Sequence, residues 1–460
     1  MTRSLLVLLL LLVTYPLTYP LTASAGPIES PAASDIKPGE PDIRVVRYDY
    51  SGGGFLLSDD GGDSWRMMCN SQIDVSVQRE TNGVVIGAGG TIYTGAIDGM
   101  WQGSADGCSW ERIAALDGKW IKDLVHHPSD PGVLFAVSSN GGEFENGIHR
   151  YDPDADEWSA LGTQEQILIR ALRVIELPGG GLRFYESIAR GTLAGGTAPN
   201  YIIRYSDDDG ANWTEHPYGE AGGTLALLGV DPTDPDRIAI AITSEAAVDQ
   251  VLVSDAGGAE GSWAVALQPE EFGGAAFGPE GQLWVGDMEA GLYEVTTPGD
   301  GEVQLSQRLR PRCVEYHPDS DELIVCGLFE WGRVDRVSGE LETLLDLREQ
   351  DGWVQCNGES VAGLCESDLG VAGWCGPTHY PEAPVCEDYG YPGVEPPEPD
   401  AGPGAGGTGG GADAGSETPS DDSGCGCRTV GAQPPSERAT VTWLLGLSLL
   451  IAARRRRPRR

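Results

Sequence analysis

Carboxylates, cysteines and a few histidines are the residues of this sequence that could do chemistry. Asp and Glu number 70 against 30 Lys and Arg in 460 residues, so paired acids for proton transfer could be assembled in many places. Spacing along the chain says nothing about separation across a pocket, and no catalytic residue is assigned on that basis. Asp152, Asp154 and Asp156 alternate as the ligands of a Ca2+ loop do. They also lead into Trp158, and a braced turn is the favoured reading, with Ca2+ the weaker alternative and no metal ligand set assigned. The six histidines are scattered except for His126-His127, which precedes a proline and reads as part of a turn rather than as a ligand pair. No Gly-x-Ser-x-Gly elbow, phosphate-cradling loop or His-Glu-x-x-His occurs. The formal charge of −40 repels nucleic acid and anionic surfaces, which removes both as partners of the folded part.

The elements that must position such groups announce themselves through a repeated turn. Ser58-Asp-Asp-Gly-Gly-Asp-Ser-Trp65 is matched at full length by Ser206-Asp-Asp-Asp-Gly-Ala-Asn-Trp213 and one residue short by Ser104-Ala-Asp-Gly-Cys-Ser-Trp110. Looser versions run from Ser254 to Trp263 and from Asp152 to Trp158. Asp60, Asp106 and Asp208 can accept backbone N–H groups inside the bend, and Ser58, Ser104 and Ser206 lead into it. Gly62, Gly107 and Gly210 supply a positive φ that a Cβ would obstruct. Trp65, Trp110 and Trp213 then begin a strand and bury their rings against a neighbouring sheet. The acids brace turns on this reading and are not catalytic. The pattern Ser-x-Asp-x-Gly-x-(Ser/Thr/Asn)-Trp resembles the Asp-box, or BNR repeat, of sialidase-like and sortilin-like β-propellers.

The period agrees. Trp65, Trp110, Trp158, Trp213 and Trp263 are 45, 48, 55 and 50 residues apart, and a four-stranded propeller blade takes about 40–50 residues. A second recurring element, a Pro/Asp turn running into an apolar strand, starts at His127, Asp231 and His317, with a shorter form at Gly278. These marks define six units, 75–116, 120–162, 166–218, 224–268, 272–308 and 312–347, after a partial unit at 43–70 that lacks a strand. A strand from Trp353 to Cys356 would complete it and close the ring, which removes exposed sheet edges. The expected fold is all-β, a propeller of seven blades in preference to six, occupying 42–350, with a disulfide-rich closure segment at 351–386.

Residues 1–25 read as a secretory signal: Arg3, the apolar run Leu5 to Val13, then Ala23-Ser24-Ala25 as a cleavage site. Residues 26–41, rich in Pro, Ser and Ala, read as a flexible leader. Export permits disulfides. Cys69 with Cys108, and Cys313 with Cys326, form the preferred pairs, while Cys356, Cys365, Cys375 and Cys386 form a cluster with three possible connectivities. Zinc binding by that cluster is weaker, because no Cys-x-x-Cys occurs within it. Residues 387–424 are a Pro/Gly/Asp spacer without core-forming residues. Residues 425–460 carry Cys425 and Cys427, the apolar run Val441 to Ala453, and the cluster Arg454-Arg-Arg-Arg-Pro-Arg-Arg460. This order resembles the MYXO-CTERM type of surface-sorting tail of myxobacterial exported proteins. The resemblance implies that Cys425 or Cys427 is the processing or lipid-attachment position and that export and sorting machinery handles the tail. A helix over the apolar run reaches only about 20 Å, which suits a temporary membrane handle better than a permanent anchor.

The sialidase resemblance implies three sugar-binding arginines, one in an early Arg-Ile-Pro segment, with a Tyr/Glu pair and an Asp. Here the early segment is Ile43-Arg44-Val45-Val46-Arg47, so the likeness covers the scaffold and not the catalytic set. The expected function is therefore that of an exported cell-surface module, possessing no cofactor, that binds glycan or protein ligands. A secreted glycoside hydrolase or lyase with a non-standard active site is the alternative, and a structural surface-coat protein the third reading.

Overall fold

The computed structural model describes residues 31–48, 54–73, 81–140, 145–165, 167–190, 200–219, 223–244, 247–296, 301–327, 330–347 and 352–361. The signal segment, the spacer, the sorting tail with Cys425 and Cys427, and Cys365, Cys375 and Cys386 lie outside the described residues. Among the described residues no helix is long and apolar enough to cross a membrane. Two short 3-10 turns, Asn70–Ile73 and Ala114–Leu116, are the helical elements among the described residues.

Seven four-stranded antiparallel meanders follow one another. Blade 1 comprises β1 (Pro31–Ile36), β2 (Arg44–Tyr48), β3 (Gly54–Ser58) and β4 (Arg66–Cys69). Blade 2 has β5 (Thr81–Ile86), β6 (Ile92–Ala96), β7 (Gly99–Gly103) and β8 (Trp110–Arg112). Blade 3 has β9 (Ile121–His126), β10 (Leu134–Ser138), β11 (Glu145–Asp152) and β12 (Glu157–Glu165). Blade 4 has β13 (Leu168–Glu176), β14 (Leu182–Arg190), β15 (Asn200–Ser206) and β16 (Thr214–Gly219). Blade 5 has β17 (Thr224–Asp231), β18 (Asp234–Thr243), β19 (Gln250–Ser254) and β20 (Trp263–Leu267). Blade 6 has β21 (Phe272–Phe277), β22 (Leu283–Asp287), β23 (Gly291–Val295) and β24 (Glu302–Ser306). Blade 7 has β25 (Cys313–His317), β26 (Glu322–Cys326), β27 (Glu330–Val334) and β28 (Leu341–Asp346). The first strand of each blade neighbours the first strand of the next, and β25 returns to β1, so the ring is closed with seven blades and not six.

Each blade packs between two others, so its middle strands are buried on both faces and read as continuous apolar runs instead of alternating ones. The strands β3, β6, β10, β22 and β26 are buried along their whole length. A separate apolar core fills every blade-to-blade interface. Val45, Phe55 and Met68 meet Ile86 and Trp101 between blades 1 and 2, for example, and Leu283 and Val285 meet Ala239 and Val253 between blades 5 and 6.

Closure differs from the expectation in one respect. The strand that completes blade 1 is β1, drawn from the supposed flexible leader, and it pairs with β2 at the channel edge. An innermost strand is held by backbone hydrogen bonds and needs few apolar side chains, so Pro, Ala and Ser do not prevent it from forming. The strand beyond residue 350 joins the opposite edge instead: β29 (Gly352–Trp353) lies parallel to β4 as a fifth strand. A small hairpin follows, β30 (Gln355–Cys356) with β31 (Glu359–Ser360).

The cysteines are likewise redistributed. Cys313 and Cys326 face each other across β25 and β26 and are bonded as expected. Cys108 is bonded to Cys356, with Cα atoms 5.3 Å apart, and not to Cys69. Cys69 is itself disulfide-bonded and fully buried at the end of β4. The closure segment crosses the hairpin of blade 2, where Cys108 Sγ also lies 3.3 Å from the Gln355 carbonyl.

The joint between blades 7 and 1 carries more directional contacts than apolar packing alone would give. Arg44 on β2 forks onto Glu322 on β26, with Nη1–Oε2 at 2.9 Å and Nη2–Oε1 at 3.2 Å, both side chains buried. The Trp65 indole N–H donates to the Leu344 carbonyl of blade 7 at 2.7 Å, and its ring meets Trp331 edge-on. Two outcomes follow for measurement. Non-reducing peptide mapping should recover a 108–356 linked peptide and no 69–108 link. Arg44→Ala should lower unfolding free energy by about 3–5 kcal/mol, nearer the lower figure because Arg333 also pairs with Glu322 at 2.8 Å; an unchanged urea midpoint would refute the role given to this pair.

Candidate functional site

The repeated turns all occupy the link between third and fourth strands. In blade 1 the Ser58 hydroxyl donates to Asp60 Oδ1 at 2.9 Å and accepts the Gly62 N–H at 2.9 Å. Asp60 also accepts the Ser64 N–H at 2.9 Å and its hydroxyl at 2.5 Å. Blade 4 repeats the set with Ser206, Asp208, Gly210 and Asn212, at 2.8–2.9 Å for the corresponding backbone and Ser–Asp bonds. In the shorter blade 2 turn Asp106 accepts the Cys108 N–H at 3.0 Å and the Ser104 hydroxyl. Gly62, Gly107 and Gly210 have φ of 100°, 74° and 80°. These donors hold all three carboxyls below the usual range. Slight burial of Asp60 works against the charge and is outweighed by Ser64 and Ser58. Ser104 leads for Asp106, and Asn212 for Asp208.

The indoles complete each turn. Trp65, Trp110 and Trp213 donate to the carbonyls of Gly62, Gly107 and Gly210 at 3.0, 2.9 and 3.0 Å. Each ring packs into the core shared with the preceding blade: Trp65 with blade 7, Trp110 with blade 1, Trp213 with blade 3. Trp158 and Trp263 take the same place in blades 3 and 5. The blade 3 turn is irregular, and the Trp158 N–H meets no acceptor. Asp152 accepts the N–H groups of Asp154 and Ala155 at 3.0 and 3.3 Å, and Asp156 accepts the Tyr151 hydroxyl at 2.7 Å, so these acids brace the bend. Among the described residues no three acids, histidines or cysteines are grouped so as to hold a metal ion.

Carboxylates do a second job along the channel, where one blade caps free N–H groups of the next. Asp123 of β9 accepts the Leu172 N–H at 2.9 Å and Arg173 Nη1 at 3.0 Å, while Arg173 Nε reaches the Leu228 carbonyl of blade 5 at 2.8 Å. Asp249 accepts the Phe272 N–H of blade 6 at 2.9 Å.

The densest cluster of titratable groups sits at the ends of the inner strands of blades 7, 1 and 3. Asp35 of β1 accepts the Ile86 N–H of blade 2 at 2.5 Å, and its Oδ2 lies 2.9 Å from His126 Nε2. His317 Nδ1 is 3.9 Å from Asp35 Oδ1, and its Nε2 is 3.6 Å from Glu315 Oε2. Ser34 donates to Glu315. His126 Nδ1 and His317 Nε2 make no hydrogen bond. Burial works against a proton on His126, but the Asp35 carboxylate, with Asp319 farther off, outweighs it and raises the pKa above the ordinary imidazole value. His149, buried in blade 3 against the Ser138 hydroxyl at 3.1 Å, behaves oppositely. Its burial, with Lys119 nearby, pulls it down to about 4.

His127 is a turn histidine as expected, its Nδ1 accepting the N–H groups of Ser129 and Asp130 at 3.2 and 3.1 Å. His126 beside it is not. No local pattern in the sequence groups Asp35, His126, Glu315 and His317; His317 at the head of a recurring turn marks only the end of an inner strand.

No known family model matches the chain, and no curated protein does. Solved propellers are similar at low identity. A structure of YCF48 bound to a D1 peptide shares 15% identity over 66% of this chain and 91% of that one, with a TM-score of 0.45. The propeller domain of the Trilobed protease from Pyrococcus furiosus shares 13% over 70% and 99%, with a TM-score of 0.44. A GH74 enzyme of Niastella koreensis shares 12% over 71% and 66%, with a TM-score of 0.32. The fold itself rests on the strand order and the closed ring.

The two hydrogen bonds of Trp65, one crossing to blade 7, distinguish it from Trp110, which bonds only within its own turn. Trp65→Phe should therefore destabilise by about 1–3 kcal/mol and Trp110→Phe by less; urea unfolding of the oxidised chain that reversed this order would contradict the cross-blade assignment.

Proposed function

We propose that this chain is an exported cell-surface binding module whose ligand, a glycan or a protein segment, docks on one face of the propeller. The observation that carries the reading is the difference between the two faces. Each blade is a meander whose inner strand runs in the same sense as the last, so the turns between first and second and between third and fourth strands share one face. The third-to-fourth turns of blades 1, 4 and 5 are each closed by a Ser hydroxyl that accepts a Gly N–H. The opposite face gathers the remaining links, whose described members range from the short 97–98 and 288–290 to the longer 307–312 and 113–120. Variable links on a closed, disulfide-bonded scaffold suit recognition. The charge of −40 selects neutral or cationic ligands over polyanions. The signal-like residues 1–25 and the sorting-type tail support a place at the cell surface.

A glycan and peptide array probed with the chain from residue 26 onward, beside a panel of fluorogenic glycosides, tests the proposal. Saturable binding to neutral glycans or to neutral or basic peptides, without turnover, is expected. Glycoside turnover abolished by one Asp or Glu substitution would replace this reading with a hydrolase.

A further inference from the structure

The ring closes on a strand that brings little apolar surface of its own: the ladder with β2 holds it within blade 1, and the Ser34 and Asp35 side chains tie it to other blades. We propose that closure at β1 is proton-linked: His126 of blade 3 holds Asp35 from across the channel wall, and loss of its proton loosens β1 from its neighbours.

The geometry supports this from every neighbouring element. Besides Asp35, β1 presents Ser34, which is committed to Glu315. From β5 comes only the Ile86 N–H, at 2.5 Å. From β9 comes His126 at 2.9 Å, and from β25 come His317 at 3.9 Å and Glu315, which faces His317 at 3.6 Å. The turn after β25 adds the charge of Asp319. On β2 the charged groups are Arg44, paired with Glu322, and Arg47. Lys37 pairs with Glu40 at 2.7 Å. A protonated His126 therefore sets an imidazolium 2.9 Å from the Asp35 carboxylate, while His317 stands between Asp35 and Glu315. A neutral His126 leaves only an ordinary hydrogen bond to Asp35.

The sign follows from the environment of His126. Its folded value lies above its unfolded one, so its contribution is complete below about pH 6.5 and is lost as pH rises through the folded value. His149 opposes it. Held down to about 4, it withdraws stability from blade 3 as pH falls from the ordinary imidazole range toward that value. A global melting temperature mixes the two effects, so the test must be local.

Hydrogen exchange on the full chain at about pH 6 and about pH 8.5, corrected for intrinsic rates, reads residues 31–36 against β22, which carries no histidine. Relative protection of 31–36 should fall about tenfold at the higher pH. In His126→Gln, whose amide still donates but does not titrate, the protection should not change with pH. Equal protection of the wild-type strand at both values, or pH dependence surviving in the variant, overturns the proposal. Should that variant fail to fold, imidazole NMR titration of the wild type and Asp35→Asn decides. The His126 midpoint must drop in the variant, and an unmoved midpoint overturns the proposal equally.

Discussion

Neighbouring blades share no strand pairing, so the ring depends on what crosses each interface, and most critically on the joint between blade 7 and blade 1. Apolar packing there, Val46, Leu56 and Met67 against Ile324, Trp331 and Leu345, supplies attraction without direction. Two sheets held only by such contact could slide. The Arg44–Glu322 fork and the Trp65 bond to the Leu344 carbonyl remove that freedom, because each is satisfied in only one register. A buried ion pair is weak evidence for net stability, since removing two charges from water costs about as much as their attraction returns. Its effect here is on position.

The same division recurs around the ring. On the outer side of each box-bearing blade, an indole is wedged into the core shared with the preceding blade and anchored by its N–H to the turn that presents it. On the channel side, a carboxylate of one blade caps a free N–H of the next, as Asp35 does for Ile86, Asp123 for Leu172 and Asp249 for Phe272. Acids that would otherwise be read as catalytic candidates thus serve as joints. The −40 charge remains a property of the exterior, where it governs what can approach.

How far the sequence disclosed this follows from the range of each interaction. The turns were legible because Ser58, Asp60, Gly62 and Trp65 bond within eight residues, and their chemistry is complete before any tertiary contact forms. Those turns mark blades 1 to 5 by their regular spacing, and the Pro/Asp turns at Gly278 and His317 mark the other two. The closing strand was not legible: the inner edge of a blade is defined by backbone hydrogen bonds, and Pro31–Ile36 carries no pattern that distinguishes it from a loose leader. The Cys108–Cys356 bond joins positions 248 residues apart, and the rival Cys69 lay nearer in sequence. Asp35, His126 and His317 come from three blades, and no local signal ties them together.

The position of β1 has a consequence for the order of assembly. Residues 31–36 emerge early in synthesis, yet their flanking surface includes β25, whose residues 313–317 emerge some 280 positions later. An early segment whose seat is built last keeps the ring unfinished until the seventh blade is available. Contacts of such long sequence separation also form slowly. A polypeptide of this design can lock its first strand in place only after its seventh sheet has arrived.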